Sequence, residues 1–341
     1  YTVVCAAMNV KSGEREDRAE AVRRMCDRKI SSRKICGYCA LVLATIVLSG
    51  QLYADAPAPR FSLAGGFYYD GISLTLSTVS QVSDIFFTLD GSEPSEAATR
   101  YEGPIAIATT TVVRARSILP DLSPSPTITH TYFIDEDYAL AVISLVSDPS
   151  NLWDKELGIY VVGQDSESPN YDRDWERPVH LEFFEADSRA GFRMDAGMKI
   201  HGGRSRQWPQ KSLSLFARKK YGHGKIRYPL FPDRPIADFE AVILRNSGND
   251  WNATMFRDAL MTTLVRDTGT GIQAYRPVVV FLNGRYWGIQ NLREKFNEHY
   301  LASHYGVDTR EIDLLDGSPM AVVGDTEHYS RTKAFIAKQD L

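Results

Sequence analysis

Cysteine is scarce in this chain of 341 residues, and all of it lies near one end. The four cysteines are Cys5, Cys26, Cys36 and Cys39. The sequence after Cys39 can therefore form no disulfide and carries no thiol, which is compatible with export from a bacterial cell. The Cys36-Gly-Tyr-Cys39 pair has the spacing of a redox or metal motif. It has no second pair and no histidine nearby, so we interpret it as part of an apolar segment.

A strong charge of one sign is also missing, because 39 basic residues face 43 acidic ones and the net charge is -4. We therefore expect no nucleic-acid partner. The sequence lacks the strings G-x-x-x-x-G-K-[ST], His-Arg-Asp, Asp-Phe-Gly and Gly-x-Ser-x-Gly. Their absence argues against a P-loop NTPase, an ordinary protein kinase and an α/β-hydrolase. The histidines are scattered and do not have the spacing of zinc ligands.

Long hydrophobic runs are missing as well. The apolar run Cys39–Gly50 is about a dozen residues long, whereas a helix needs roughly 20 to span a bilayer. Basic residues precede this run between positions 28 and 34, and the small residues Ala54-Asp55-Ala56 follow it. This order predicts a signal peptide over residues 28–56, cleaved near Ala56, behind an upstream leader of residues 1–27 without structure. We expect a secreted or cell-surface bacterial protein without membrane attachment after cleavage; an uncleaved anchor is the alternative.

Residues 57–135 contain short runs of β-branched and aromatic residues separated by turn residues. The clearest expected strands are Ile72–Ser77, Ile85–Leu89, Ile105–Ala108, Val112–Ser117 and Tyr132–Ile134. Such spacing predicts a small all-β sandwich. Asp90-Gly91 follows one of the runs and predicts a tight hairpin turn.

Three segments of this region carry a family resemblance: Phe87–Pro94 (FTLDGSEP), Tyr101–Ile105 (YEGPI) and Thr111–Arg116 (TVVRAR). In this order they resemble the C-terminal module of chitobiase and β-hexosaminidase enzymes. The resemblance implies a β-sandwich of a kind that accompanies many secreted proteins. Exposed tyrosines, with Tyr68, Tyr69 and Tyr101 as candidates, would stack on sugar rings. Aromatic residues at alternating positions more often fill a sandwich core, so we expect a spacer or packing role.

Residues 138–341 change from strand patterns to helical ones, which indicates an α+β domain. The expected strands are Ala139–Leu145, Pro178–Glu185, Phe192–His201, Lys211–Ala217 and Ala241–Asn246. A hairpin is expected around Asn283-Gly284, and a turn at Pro149–Trp153. The expected helices are Thr254–Asp267, Asn297–Tyr305 and a segment from Gly324 to the end.

Three local patterns occur in this second region in one order. Gly197–Arg206 (GMKIHGGRSR) comes first, Leu244-Arg-Asn leads into Met255–Leu260, and Val278–Glu294 contains Asn-Gly-Arg-Tyr-Trp-Gly. The succession resembles the CotH family, spore-coat-protein-H-like secreted proteins with an atypical protein-kinase fold. The resemblance implies transfer of the ATP γ-phosphate to Ser or Thr of a protein substrate, with Mg²⁺ or Mn²⁺. The family's catalytic aspartates are expected after residue 341, which implies a truncated C-terminal lobe and an inactive fragment.

Phosphoryl transfer depends mainly on positioning and on neutralising charge. Gly202 and Gly203 let the backbone approach a ligand, and Arg204, Arg206 and Lys211 have the charge to contact phosphates. A solvated hairpin is the alternative for this loop. With the family resemblance, we predict contact with the phosphates of a nucleotide.

Two further elements supply candidate residues. On the expected helix 254–267, Arg257 or Asp258 would pair with Lys211 or anchor the glycine loop, although a surface charge pair explains them as well. On the strand that ends the Asn283-Gly284 hairpin, Gln290 and Glu294 would lie at the cleft between two kinase lobes, near the adenine edge. We therefore count Arg257, Gln290 and Glu294 among the candidate nucleotide-binding residues.

The expected protein is thus multidomain, with an immunoglobulin-like sandwich at 57–135 followed at 138–341 by the N-terminal part of an atypical kinase-like α+β domain. Two other functions stay open. One is a non-catalytic cell-surface structural or adhesion protein that uses a kinase-like fold. The other is a glycan-associated surface protein whose function depends mainly on the sandwich.

Overall fold

The computed structural model describes residues 6–8, 55–80, 83–119, 122–317 and 319–339. The expected cleavable apolar run and the Cys36–Cys39 pair lie outside these residues. The chain divides into two compact units, residues 55–300 and residues 1–54 together with 301–341. No described helix is both long enough and apolar enough to cross a bilayer.

The smaller unit contains a three-stranded sheet and a helix among its described residues. Strand β1 is Ala6–Met8, within the segment that was expected to be an unstructured leader. It pairs antiparallel with β20 (Ile312–Asp316), which pairs in turn with β21 (Met320–Val323). Helix α4 is Glu327–Ile336, shorter than the expected segment from Gly324. Helix α3, Glu298–Tyr305, confirms the helix expected there.

The first part of the larger unit is a β-sandwich-like module, as expected. Its strands are β2 (Arg60–Phe61), β3 (Gly66–Tyr68), β4 (Ile72–Leu74), β5 (Leu76–Ser77), β6 (Asp84–Thr88), β7 (Thr99–Arg100), β8 (Ile105–Ile107), β9 (Thr111–Ile118) and β10 (Ile128–Ile134). A five-stranded sheet runs β3-β10-β9-β6-β7, beside the pairs β2–β5 and β4–β8. Alternate residues of β9, such as Val113 and Ala115, enter the core with Leu74 and Tyr132.

The expected tight turn at Asp90-Gly91 is wrong. The connection between β6 and β7 covers residues 89–98. Asp90 Oδ1 accepts hydrogen bonds from the backbone and hydroxyl of Ser92, at 2.9 and 2.6 Å, so Asp90 begins a longer loop. Of the three tyrosines, Tyr68 and Tyr101 pack against the sandwich core, whereas Tyr69 is 94% exposed.

The second part of the larger unit is a closed seven-stranded barrel. Its strands are β11 (Ala141–Val146), β12 (Arg177–Phe184), β13 (Ala190–His201), β14 (Ser212–Phe216), β17 (Ala241–Arg245), β18 (Tyr275–Leu282) and β19 (Arg285–Glu294). The order is β11-β12-β13-β14-β17-β19-β18, and β18 closes the ring by pairing parallel with β11. A short ribbon, β15 (Ile226–Arg227) with β16 (Asp238–Phe239), stands beside it. The unit is therefore mostly β, and a two-lobed kinase arrangement is not visible in it.

Alternation along the barrel strands separates an apolar inside from a polar outside. Leu213 and Leu215 of β14, Leu244 of β17 and Leu292 of β19 belong to the buried core. Residues of the opposite parity, which include Ser212, Ser214, Arg245 and Arg293, therefore point to the outer face. The candidate site lies on this outer face.

Two helical predictions need correction. Helix α1, Pro149–Trp153, replaces the expected turn because Asp148 caps it by accepting from the Ser150 backbone. Helix α2, Arg257–Leu264, is shorter than the expected 254–267. It begins late because Met255 has a left-handed φ of 60°.

The sandwich and the barrel share a buried aromatic junction. The fully buried Phe133 of β10 stacks on Phe67 at 4.5 Å between ring centroids. Its edge contacts reach the barrel side chains Phe184 and Phe281, at 5.4 and 4.9 Å. The Thr131 backbone also donates to Glu182 Oε2, at 2.8 Å. The sandwich is therefore packed onto the barrel as part of one compact unit.

Candidate functional site

The loop between β13 and β14 begins with two glycines that serve different purposes. Gly202 has a φ of 106°, and a Cβ there would lie 2.6 Å from Ser205 Oγ. Any other residue would be strained at this position. A Cβ on Gly203 would meet nothing within 4 Å, so Gly203 leaves open space. A short 3-10 turn, Arg204–Gln207, follows.

The side chains of Arg206 and Lys211 bind the loop on the side away from solvent-exposed Gly203 through hydrogen bonds to backbone carbonyls. Arg206 Nε donates to the Gly202 carbonyl, and its Nη1 donates to the Asp172 carbonyl at 2.9 Å. Lys211 Nζ donates to the Arg206 carbonyl and to the Trp208 carbonyl, the latter at 3.1 Å. Both cations thus bind backbone oxygens of the loop or its neighbour. These hydrogen bonds stabilise the conformation of the loop.

Lys211 is buried, with 4% of its surface exposed. Its Nζ lies 4.4 Å from the ring centre of Tyr171 and 5.8 Å from that of Tyr160. The ion pairs found among the described residues include none with Lys211. Burial lowers the pKa of Lys211 to about 8, from an ordinary value of 10.5.

This depressed pKa predicts a dependence of stability on pH. Between pH 8 and 10.5 the unfolded chain holds a proton on Lys211 that the folded chain has lost. The free energy of unfolding contributed by Lys211 should therefore rise as the pH is raised through this window. Denaturation of the wild type and of Lys211→Met at a series of pH values measures the difference. Lys219→Met, at an exposed position, should keep the wild-type profile; a Lys211→Met profile parallel to the wild type would contradict the assignment.

A cleft of about 410 Å³ opens on the outer face of the barrel, in front of the glycine loop. Its lining is His201, Gly202, Gly203, Arg204, Ser205, Ser212, Arg245, Gly248 and Asn249. These residues meet because His201 is opposite Ser212 in the β13–β14 pairing. Ser212 Oγ in turn accepts from the Asn246 backbone at 2.9 Å and donates to Asn246 Oδ1 at 2.8 Å. This contact holds the turn after β17 against the start of β14.

Basic side chains lie around the cleft and act on His201. Burial, together with the charges of Lys295, Arg245, Arg206 and Lys199, lowers the pKa of His201 to about 4. The imidazole is therefore neutral at pH 7 among cations. Such surroundings favour an anionic ligand.

Helix α2 positions one of these cations. Asp258 Oδ2 accepts from Arg245 Nη1 and from Arg293 Nη1, both at 2.8 Å. The Arg293 side chain is 1% exposed, whereas that of Arg245 is 36% exposed and lines the cleft. The prediction that Asp258 pairs with Lys211 is wrong, because its carboxylate is committed to the two arginines.

The remaining candidates lie away from the cleft. Arg257 is largely exposed and contacts Asp250, with 3.3 Å between Nη2 and Oδ1. Gln290 has no exposed surface and donates to the Lys211 carbonyl at 2.8 Å. Glu294 is 3% exposed, and its Oε2 accepts from the Ala274 backbone at 2.7 Å. Gln290 and Glu294 have the parity of Leu292, so they lie on the inner side of the barrel wall.

The structure thus gathers part of the predicted set and adds to it. Gly202, Gly203 and Arg204 line the cleft, while Arg206 and Lys211 stand behind the loop. The sequence reasoning missed His201, Arg245 and Arg293. The signal for Arg245 was present in Leu244-Arg-Asn, an arginine that ends a buried strand before a helix with an acidic residue. Among the described residues, no three His, Cys, Asp or Glu side chains are grouped so as to hold a metal ion.

Comparison with known families confirms both resemblances, in the expected order. Residues 63–129 match the family model of the chitobiase/beta-hexosaminidase C-terminal domain. Residues 198–338 match the family model described as CotH kinase protein. No curated protein shows a significant match to the chain. All the residues that line the cleft fall within the CotH match.

Proposed function

We propose that the cleft binds the triphosphate of ATP and belongs to a secreted CotH-like kinase that phosphorylates Ser or Thr of a protein. The observation that carries the proposal is the meeting of Arg204 and Arg245 with the Gly202-Gly203 backbone in one cleft of the CotH-matched segment. Guanidinium groups bind phosphate oxygens in pairs, and glycine lets the backbone come close to them. These donors suit a phosphate chain.

The roles of the basic residues differ in this proposal. Arg204 and Arg245 contact the phosphates, because both line the cleft. Arg206 and Lys211 position the loop through its carbonyls. Asp258 holds Arg245 at the cleft wall. Bound ATP would supply the phosphoryl group, and these side chains would orient it and offset its charge.

The metal ligands and the base are unassigned. Among the described residues, no group of three or more His, Cys, Asp or Glu side chains could hold Mg²⁺ or Mn²⁺. The residues assigned above neutralise charge and do not remove a proton from a hydroxyl group.

Calorimetric titration with ATP tests the proposal. Arg245→Ala and Arg204→Ala should each weaken binding about tenfold, because each removes a charged hydrogen bond worth about 1.5 kcal/mol. Arg100→Ala is the matched control, since Arg100 is an exposed arginine of the sandwich paired with Asp84. ATP should also raise the pKa of His201 above about 4, which NMR of the imidazole would show.

The same titration separates the enzyme from its rival. A structural or adhesion protein with this fold would have no need of a nucleotide. Absence of ATP binding by the wild type, together with an unshifted His201, would favour that rival. Equal affinities for wild type and both arginine variants would instead reject the cleft as the binding site.

A further inference from the structure

We propose that a pocket at the edge of the sandwich sheet binds one ring of a neutral sugar chain. The pocket has a volume of about 330 Å³, at the lower end of the range for small-ligand sites, which leaves room for a single ring. Its lining is Ser83, Asp84, Ile85, Arg100, Tyr101 and Glu102. All six lie in the sandwich and outside the CotH match. Sugar binding here is therefore independent of nucleotide binding in the barrel cleft.

The pocket forms because the strand at this edge of the sheet is short. Strand β7 has only two residues, and Arg100 at its end pairs with Phe86 of β6. Since the two strands are antiparallel, the residues that follow β7 lie beside the start of β6. The Tyr101 backbone still donates to the Ile85 carbonyl, at 2.8 Å, before the chain leaves the sheet. Residues on both sides of this strand end line the pocket.

Tyr101 gives the pocket an aromatic wall. Its side chain packs against the sandwich core, which holds the ring in place, and the same residue lines the pocket. Ile85, which is 6% exposed, adds an apolar surface beside it. A tyrosine has an apolar ring and a polar tip, so it suits a ligand with both kinds of surface. A sugar ring is such a ligand, because its C–H groups form an apolar face and its hydroxyl groups lie around the rim.

The polar groups of the pocket suit hydroxyl groups. Asp84 Oδ1 accepts from Arg100 Nη2 at 2.6 Å, and the two side chains are 47% and 59% exposed. A carboxylate accepts several hydrogen bonds and a guanidinium donates several, so both retain capacity for a ligand. Neighbouring hydroxyl groups of a sugar donate and accept, and they match an acceptor that lies beside a donor.

The charges of the lining favour a neutral ligand. The pocket holds two carboxylates, Asp84 and Glu102, and one guanidinium, that of Arg100. Because Arg100 is paired with Asp84, an anionic ligand would meet the carboxylate of Glu102. An entirely apolar ligand would remove water from the ion pair without replacing its hydrogen bonds. A neutral ligand rich in hydroxyl groups avoids both costs.

Calorimetric titration of the full chain with trimers of N-acetylglucosamine and of glucose tests the proposal. We expect a Kd on the order of 1 mM, which is typical of contact with a single ring. Added salt should leave this affinity unchanged, because the ligand carries no charge. Binding of either trimer supports the proposal and identifies the sugar. Absence of saturable binding by both, or binding that salt abolishes, would overturn it.

Variants locate the binding in the pocket. Tyr101→Leu keeps an apolar side chain against the core but loses the aromatic face, so it should weaken binding about tenfold. Tyr101→Phe keeps the ring and should bind within about twofold of the wild type. Tyr69→Leu is the matched control, since Tyr69 is 94% exposed and does not line the pocket. Wild-type affinity in Tyr101→Leu, or a loss of binding in Tyr69→Leu alone, would place the sugar elsewhere and reject the pocket.

Two arginine variants separate this site from the barrel cleft. Arg100→Ala should weaken sugar binding about fivefold, because a charged donor is lost, and should leave ATP binding unchanged. Arg204→Ala should leave sugar binding unchanged. A chain that binds sugar but not ATP would reject the proposed function alone. A chain that binds ATP but neither trimer would reject the sugar site alone.

Discussion

Replacement of Asp258 by alanine is expected to lower the free energy of unfolding by about 3–5 kcal/mol. Its Oδ2 accepts hydrogen bonds from Arg245 and Arg293, both at 2.8 Å. The Arg293 side chain is 1% exposed, and burial lowers its pKa while the charge of Asp258 acts in the opposite direction. Removal of the carboxylate leaves this guanidinium buried and uncompensated. Chemical denaturation of wild type and variant measures the loss.

Two further variants make this prediction sharper. Asp267→Ala removes an exposed carboxylate just beyond α2 and should change stability by less than about 0.5 kcal/mol. Adding Arg293→Met to Asp258→Ala should restore part of the loss, because the buried charge is gone. A double variant no more stable than Asp258→Ala would show that the carboxylate acts in some other way.

Replacement of Phe133 by alanine is expected to lower the free energy of unfolding by about 3–5 kcal/mol, since a large buried ring is lost and a cavity remains. Phe133 has no exposed surface and contacts Phe67 of the sandwich and Phe184 and Phe281 of the barrel. The loss therefore falls on the junction between the two parts. We expect the sandwich and the barrel of the variant to unfold in separate steps, which calorimetry would resolve.

The matched control is Phe256→Ala. Phe256 is 49% exposed at the start of α2, so its loss should cost less than about 1 kcal/mol. If Phe133→Ala proves as mild as this control, the aromatic junction does not hold the two parts together.

The sequence could predict those features that depend only on residues close together in the chain. The hairpin at Asn283-Gly284 is confirmed, because both residues have the positive φ, 50° and 74°, that such a turn requires. Strand β9 was visible for a similar local reason, since its burial alternates from Val113 to Ser117. The start of α2 was not, because it depends on the left-handed Met255 and on Asp250, whose Oδ2 accepts from the Arg257 backbone at 3.0 Å.

The pairing of strands that are distant in the chain decides which side chains meet at the candidate site, and the sequence alone could not predict it. Arg245 and Arg293 are far apart in the chain, and only the β17–β19 pairing brings both guanidinium groups to one carboxylate of α2. Lys211 was placed on the correct strand end, yet its side chain points behind the loop. Lys211 directly precedes Ser212, which lines the cleft, and neighbouring residues of a strand point to opposite faces. Which of the two faces the cleft depends on how β14 pairs with β13. Of the candidates in this loop, Gly202, Gly203 and Arg204 therefore line the cleft, whereas Lys211 lies behind the loop.

The parallel pairing of β11 with β18, which closes the barrel, has a consequence for folding. Ala141 to Leu145 pair with Val278 to Leu282, so the ring stays open until the later strand has emerged and docked. Until then two strand edges are bare, and bare edges invite pairing with other molecules.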